Sequence, residues 1–402
     1  MKISTYRLLF LLYFSCSVSS VFGVNDSFKV AKLSPYAKIS LLTVGRSDAE
    51  VWQKFGHTAI RIKDSIKGWD IVYNYGTFSF GNSESEFIWN FVKGRLLYYL
   101  TIDMYPDFIA EYIEENRSVS EQILNLDTIQ KQKLFEALTF NAREENKYYK
   151  YDFLFDNCST RPRDKILSLF NTVQFQKDAD DDVSYRKLIR KYANDSWLDF
   201  GMDLLIGART DKKAEFGRTF LPDELMQSFD GATADGKKLT LSNRLILDTV
   251  PEHMNKNWLT PSLVFWFLFL VLFLLQIYYQ LLYRYKIIPV IYLCILGLFG
   301  WLFIFMWFFT DHKTTKYNLN IIWAMPLLLP FIVFNLKKSV PNAIIIFTKA
   351  YRVLLIFLIL LWWLNPQKYN LAVLPLILLA ILSASVLLPI PKSGDFSKRL
   401  FP

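Results

Sequence analysis

Apolar and polar positions along this chain fall into three regimes. Between residues 37 and 80, apolar residues alternate with polar ones in the segments AKISLLTV, HTAIRIK and WDIVYNYGTFSF. A period of two is the signature of strands with one buried face. The segments PDFIAEYIEENR, QKQKLFEALTFNAREEN and RDKILSLFNTV repeat at the helical spacing instead. QKDADDD at 176–182 and GATADGKK at 231–238 read as loops, from charge and from turn residues. From Trp258 onward the pattern changes to five apolar runs, at 259–279, 287–309, 319–336, 351–365 and 370–390. Runs of this kind approach the ~20 residues that cross a bilayer as a helix, although the fourth is short.

The amino terminus holds a different apolar run. Lys2 and Arg7 precede it and small residues follow, the layout of a secretory signal peptide ending near Val21 and Gly23. The expected organisation is therefore a signal peptide at 1–23, an exported α+β domain at 24–256, and a transmembrane domain at 257–402 with five helices. Composition agrees: 52% of residues are hydrophobic and 21% charged.

The net charge of +9 would suit a nucleic-acid binder if it lay on one face. It does not. Residues 24–256 carry 35 acidic and 32 basic side chains, whereas residues 257–402 carry 2 acidic and 12 basic. The excess sits between apolar runs, where it reports membrane orientation. With residues 24–256 outside the cytoplasm, the loops and tail expected inside carry Arg284, Lys286, Lys337, Lys338, Lys349, Arg352, Lys392, Lys398 and Arg399. The loops expected outside carry Lys313, Lys316 and Lys368. No nucleic-acid partner is expected, and the multi-pass protein is placed in the bacterial cytoplasmic membrane with its domain in the periplasm.

Chemistry narrows quickly. Of three cysteines, Cys16 leaves with the signal peptide and Cys294 lies within an apolar run. Cys158 is the single thiol of the exported domain, so no disulfide can form within it. Only His57, His253 and His312 are present, which gives no Cys/His cluster; no metal and no cofactor are expected. His57 opens a strand pattern, and a strand-edge role is the plain alternative to catalysis. Cys158 precedes STRPRDKILSLF, a helix start with cap-type Asp156 and Asn157 before it, where a thiolate would be stabilised. The plain alternative for Cys158 is core filling. A neighbouring imidazole makes a thiol a nucleophile, and Asn74 on the next strand is the candidate to orient that imidazole. Tyr73 and Tyr75 point to the opposite face of that strand and are the alternatives. The aromatic run FIWNFVKGRLLYYL reads first as core, and otherwise as an apolar wall for acyl chains with Lys93 and Arg95 near a phosphate. Arg117, Arg161 and Arg163 read as ion-pair or surface residues, and His253 and His312 as exposed.

A strand-opening histidine followed much later by an NC at a helix start resembles the circularly permuted papain-like hydrolases of the NlpC type. FGHTAIRI, VYNYGTFSF, GRLLYYL, ENRSVSEQILNL and YDFLFDNCSTRPRD, in that order, more closely resemble the Bacteroides-type (Lnb-like) lipoprotein N-acyltransferases. The likeness covers most of 36–165. It implies a permuted papain-like core at about 36–170 with His57, Cys158 and Asn74 as catalytic residues. It also implies transfer of a fatty acyl chain from a phospholipid, through a Cys158 thioester, to the α-amino group of a diacylglyceryl-cysteine lipoprotein. Two other classes remain open on the sequence: a membrane-tethered cysteine amidase or peptidase acting on cell-wall peptides, and a transporter or sensor whose exported domain only binds. Nearly charge-free apolar runs disfavour the transporter.

Overall fold

The alternating segments pair into one antiparallel sheet. In the computed structural model, which describes residues 30–79, 83–176, 183–193, 196–214, 218–249, 258–330 and 340–388, the strands are β1 (Lys38–Val44), β2 (His57–Asp64), β3 (Trp69–Thr77), β4 (Leu97–Met104), β5 (Val119–Leu124), β6 (Tyr148–Lys150) and β10 (Thr240–Leu247). Their order is β10-β5-β1-β2-β3-β4-β6. A small second sheet joins β7 (Val173–Gln174), β8 (Thr233–Ala234) and β9 (Lys237–Lys238). The GATADGKK loop is thus a tight hairpin, turning at Asp235 and Gly236 with positive φ. The signal-peptide region, residues 177–182, the stretch with His253, and the basic tail lie outside the described residues.

Period-two patterning gives the sheet two packed faces. Tyr73 and Tyr75 reach one side, where their hydroxyls meet Thr139 and Asn141 of α3 (Thr128–Asn141). The other side carries α2 (Tyr105–Glu114). Its Phe108 and Tyr112 pack on Leu42, Val44, Ala59, Val72 and Val119, all buried. Ahead of it in the chain, α1 (Glu84–Lys93) is capped by Ser83 and ends at Gly94. After β6 come α4 (Thr160–Leu167), α5 (Tyr185–Ala193), α6 (Trp197–Leu205) and α7 (Pro222–Asp230).

Helices α5 and α6 form a collar whose role the sequence did not disclose. The Arg186 guanidinium is buried at its centre. It pairs with Asp203 at 2.7 Å and Asp211 at 3.0 Å, and donates to the carbonyls of Ile206 and Gly207. A buried charge is tolerated when its donors are all used in this way. Phe200 and Leu204 of α6 enter the core of the carboxy-terminal helices beside Val290, Leu293 and Trp323. The following chain is stitched to the same region: Gly207 N–H donates to Thr314 O at 2.8 Å and Ala208 N–H to Tyr317 O at 3.0 Å. Asn318 returns the contact by donating to Leu204 O at 2.7 Å.

Three helices are long and apolar enough to cross a membrane: α8 (Pro261–Tyr279), α10 (Ile287–Phe308) and α11 (Asn342–Leu360). A four-residue helix, α9 (Leu281–Arg284), joins the first two, and the shorter apolar α12 (Val373–Leu387) follows. Of the five expected spans, the first two coincide with α8 and α10, and the last contains α12, which at 15 residues is shorter than expected. The other two differ. The run at 319–336 begins as a 3-10 turn, Leu319–Ile322, passes through non-helical backbone at 323–327 and is helical again at 328–330; its remainder lies outside the described residues. Pro326, which has no amide to donate, lies in that break, just before the helical residues. Such backbone is tolerated within a membrane only when packed in protein. Trp323, buried at 2% exposure, accepts a hydrogen bond from Tyr351 at 2.6 Å on its carbonyl. The run expected at 351–365 is a helix over Asn342–Leu360, because Ala343–Phe347 extends its apolar start. Lys349 and Arg352 consequently lie inside α11, not in a loop. The architecture is a mixed α/β sheet domain followed by a helical region with four apolar helices among the described residues.

Candidate active site

His57 is the first residue of β2, opposite Val44 of β1. Asn74 lies one strand away on β3, and its Oδ1 is 2.6 Å from His57 Nε2. The other end of that amide is fixed. Asn74 Nδ2 donates to Asp103 Oδ2 at 3.2 Å, and the Thr101 hydroxyl donates to the same oxygen at 3.2 Å. A carboxylate can only accept, so Asp103 sets the Asn74 amide with its oxygen towards the imidazole. His57 then donates from Nε2–H, which leaves Nδ1 as the free base. Tyr73 and Tyr75, the alternatives to Asn74, point to α3 on the other face.

Cys158 arrives from the start of α4. The loop before it is closed by reciprocal Asp152–Asp156 backbone hydrogen bonds of 3.0 Å. Asn157 Oδ1 accepts from the amides of Ser159 and Thr160 at 2.8 and 2.9 Å, while its Nδ2 donates to the carbonyls of Phe153 and Phe220. Every polar atom of that buried side chain is used, which holds the turn carrying the thiol. The Thr58 and Ser159 hydroxyls meet at 3.1 Å, tying the turn to β2 beside His57.

Gly76 completes the junction. The β3–β4 register shifts between Tyr75 and Thr77, and Gly76 has φ +98°. A Cβ at this position would stand 3.3 Å from Cys158 Cβ and 3.7 Å from His57 Cε1. The thiol-bearing and imidazole carbons are therefore within about 7 Å of each other, the sum of those two distances. A bulge at a bare glycine lets the two residues approach across the strand.

Protonation differs from the sequence expectation. Burial pushes the Cys158 thiol up, against smaller stabilising effects from the Thr58 amide, the Ser159 hydroxyl, the Cys158 amide and the Arg117 charge. Burial also lowers His57 to about 4; the Asn74 hydrogen bond opposes this and Arg117 reinforces it. The helix start does not offset the loss of water, so the resting pair is thiol and neutral imidazole. Arg117 is buried, donates to Gly45 O at 2.9 Å and pairs with Glu115 at 2.8 Å. Tyr98, Tyr112, Tyr149 and Tyr151 are close enough to Cys158 for its charge to act on them, and all four phenols are raised, chiefly by burial. Cys158 itself is partly exposed, so the site is open to a substrate.

The remaining candidates are structural or outlying. Arg161 clasps both oxygens of Asp156 and stacks 3.6 Å over the Tyr149 ring. Arg163 bonds Thr219 and Asp164. His312 contacts Phe91 O at 2.9 Å. Cys294 packs against the membrane-helix core. The core reading of FIWNFVKGRLLYYL fails for its first half: Ile88, Trp89 and Phe91 are exposed, because α1 touches the sheet domain along only part of its circumference. Among the described residues no group of three His, Cys, Asp or Glu side chains is arranged to hold a metal. Sequence reasoning missed Asp103 and Gly76. Asp103 carries no local signal, but a glycine inside a strand pattern does point to a bulge or close approach.

The Lnb N-terminal periplasmic domain family matches residues 37–191, and the Lnb transmembrane domain family matches residues 253–392. Neither a curated protein nor a solved structure matches the chain.

Proposed function

Because this chain is Lnb-like in both its periplasmic and its transmembrane parts, we propose that it is a lipoprotein N-acyltransferase working through a Cys158 thioester. The observation that carries this reading is the turn bearing Cys158 brought beside an Asn74-oriented His57, in a chain whose following helices are long and apolar enough to cross a membrane. Such an anchor suits a reaction whose two substrates are both membrane lipids.

Cys158 Sγ attacks the ester carbonyl of a membrane phospholipid while His57 Nδ1 takes the thiol proton. The proton passes to the departing lysophospholipid oxygen as the ester C–O bond breaks. In the second half, the α-amine of a diacylglyceryl-cysteine lipoprotein attacks the thioester carbonyl. His57 takes a proton from the amine and returns it to the leaving Cys158 sulfur. Asn74 holds the imidazole, and the Cys158 amide faces the developing oxyanion. We read the order His57, Asn74, Cys158 as the permuted papain-like layout. The bias of basic residues towards one side of the apolar helices supports a periplasmic domain on a multi-pass inner-membrane anchor.

The test uses the full chain in phospholipid vesicles. A mass increase on Cys158 that hydroxylamine removes is expected with phospholipid alone, and a diacylglyceryl-cysteine lipopeptide should discharge it into an amide. His57→Ala should block the first step. Fatty acid released at one rate with or without lipopeptide would make the protein a lipase. Cleaved cell-wall peptides without any acyl adduct would make it an amidase.

A further inference from the structure

The exposed face of α1 is joined to a spanning helix. Trp89 stacks on Phe305 of α10 with ring centres 6.1 Å apart. Asp311, just beyond α10, donates its amide to Lys93 O at 2.9 Å, and its carboxylate holds Arg95 at 3.3 Å and Lys150 at 3.2 Å. Since Phe305 belongs to a membrane-crossing helix, the ring stacked on it sits at the depth of that helix's outer end. Ile88 and Phe91, three residues apart on the same face, are half exposed at 52% and 53%. A row of rings runs inward from this helix. Phe87 lies 5.8 Å from Phe78, Phe78 lies 5.2 Å from Tyr98, and Tyr98 lies 4.3 Å from Tyr151. Tyr98 and Tyr151 are two of the phenols within electrostatic reach of Cys158.

We infer that α1 lies in the outer face of the bilayer and that the ring row from Phe87 to Tyr98 is the portal through which a phospholipid acyl chain reaches Cys158. The inference rests on the acyltransferase reading for its destination. Its physical basis is that an apolar face continuous with a spanning helix meets lipid and not water. A ring-lined route lets an ester carbonyl approach the thiol without its chain crossing water. Lys93, whose ammonium lies 4.4 Å from the Trp89 ring, sits at the edge where a lipid phosphate would be.

Two measurements on the full chain in vesicles test it. A benzophenone amino acid placed at 88 or 91 should crosslink to phospholipid, whereas one at Leu241, exposed on the far-edge strand β10, should not. In the Ile88→Glu/Phe91→Glu double variant, acylation of Cys158 is then compared for a vesicle phospholipid and a monomeric short-chain phospholipid. The vesicle-to-monomer rate ratio should fall about tenfold or more, as charge is placed on the lipid-facing side. Lipid crosslinking no greater than at 241, or an unchanged ratio, overturns the portal. Absence of any adduct in the wild type with either donor removes the acyltransferase reading and the portal with it; that failure is seen before any variant is made.

Discussion

At the scale of single residues, Asp103 has the largest consequence for its distance from the thiol. It touches no reacting atom, yet it decides which end of the Asn74 amide meets His57. Asp103→Asn should free the amide to turn and let the imidazole adopt the other tautomer. Thioester formation should fall about tenfold or more. The imidazole ¹⁵N shifts, readable in a chain with three histidines, should show the proton moving from Nε2; unchanged shifts would reduce Asp103 to a packing role. The protonation states make a second expectation. His57, lowered to about 4, stays a neutral base through mildly acidic pH, so the acid limb of acylation should lie near that value and not near 6.5. The stability sign follows: between pH 6.5 and 4 the unfolded chain takes up a proton that the native His57 refuses, so stability is lost as pH falls through that window. Melting temperatures across it should decline less in His57→Gln. The thiol, pushed up by burial, should alkylate more slowly at pH 7 than a free cysteine.

At the scale of elements, the bulge in β3 brings strand and helix together. Gly76→Ala would force a side chain into φ +98° and press it against Cys158 Cβ at 3.3 Å. Backbone strain of this kind costs about 1–3 kcal/mol, and acylation should fall further than stability does; an active, well-folded Gly76→Ala would show that the close approach is dispensable. Much at this scale was legible beforehand. Strand alternation found β1, β2 and β3, and placed Asn74 opposite Tyr73 and Tyr75 in facing. The histidine and cysteine stood out because the domain has so few of either. Asp103 was not legible, because its partner lies 29 residues earlier on a neighbouring strand and sequence spacing does not encode register across β3 and β4. The exposed aromatics of α1 were not legible for a related reason: exposed and core-facing aromatic residues can have the same composition, and only the neighbours distinguish them. In the helical region, one expected span opens with 3-10 and non-helical backbone before turning helical at 328–330, and a basic pair inside α11 disguised the start of another.

At the scale of the whole molecule, the collar of α5 and α6 sets how the sheet domain rides on the helices. Gly207 is the tightest point: a Cβ there would stand 2.0 Å from Lys316 O. Gly207→Ala should therefore push the collar from the loop after α10, destabilising the protein by about 1–3 kcal/mol as overpacking does. Acylation from vesicles should fall with it. Thermal unfolding of the variant monitored separately in the two halves should lose coincidence if the contact couples them.

The same stitching changes what the stretch between Leu247 and Trp258 has to do. With Arg186 buried against Asp203, Phe200 seated among the membrane helices, and Asn318 bonded across to Leu204, the two halves are held together by packing and hydrogen bonds as well as by the covalent chain. A protease site inserted there and cut after folding should leave two polypeptides that co-purify in detergent and still acylate Cys158. Release of the amino-terminal piece on cutting would mean that the covalent link, and not the collar, keeps the thiol at the membrane.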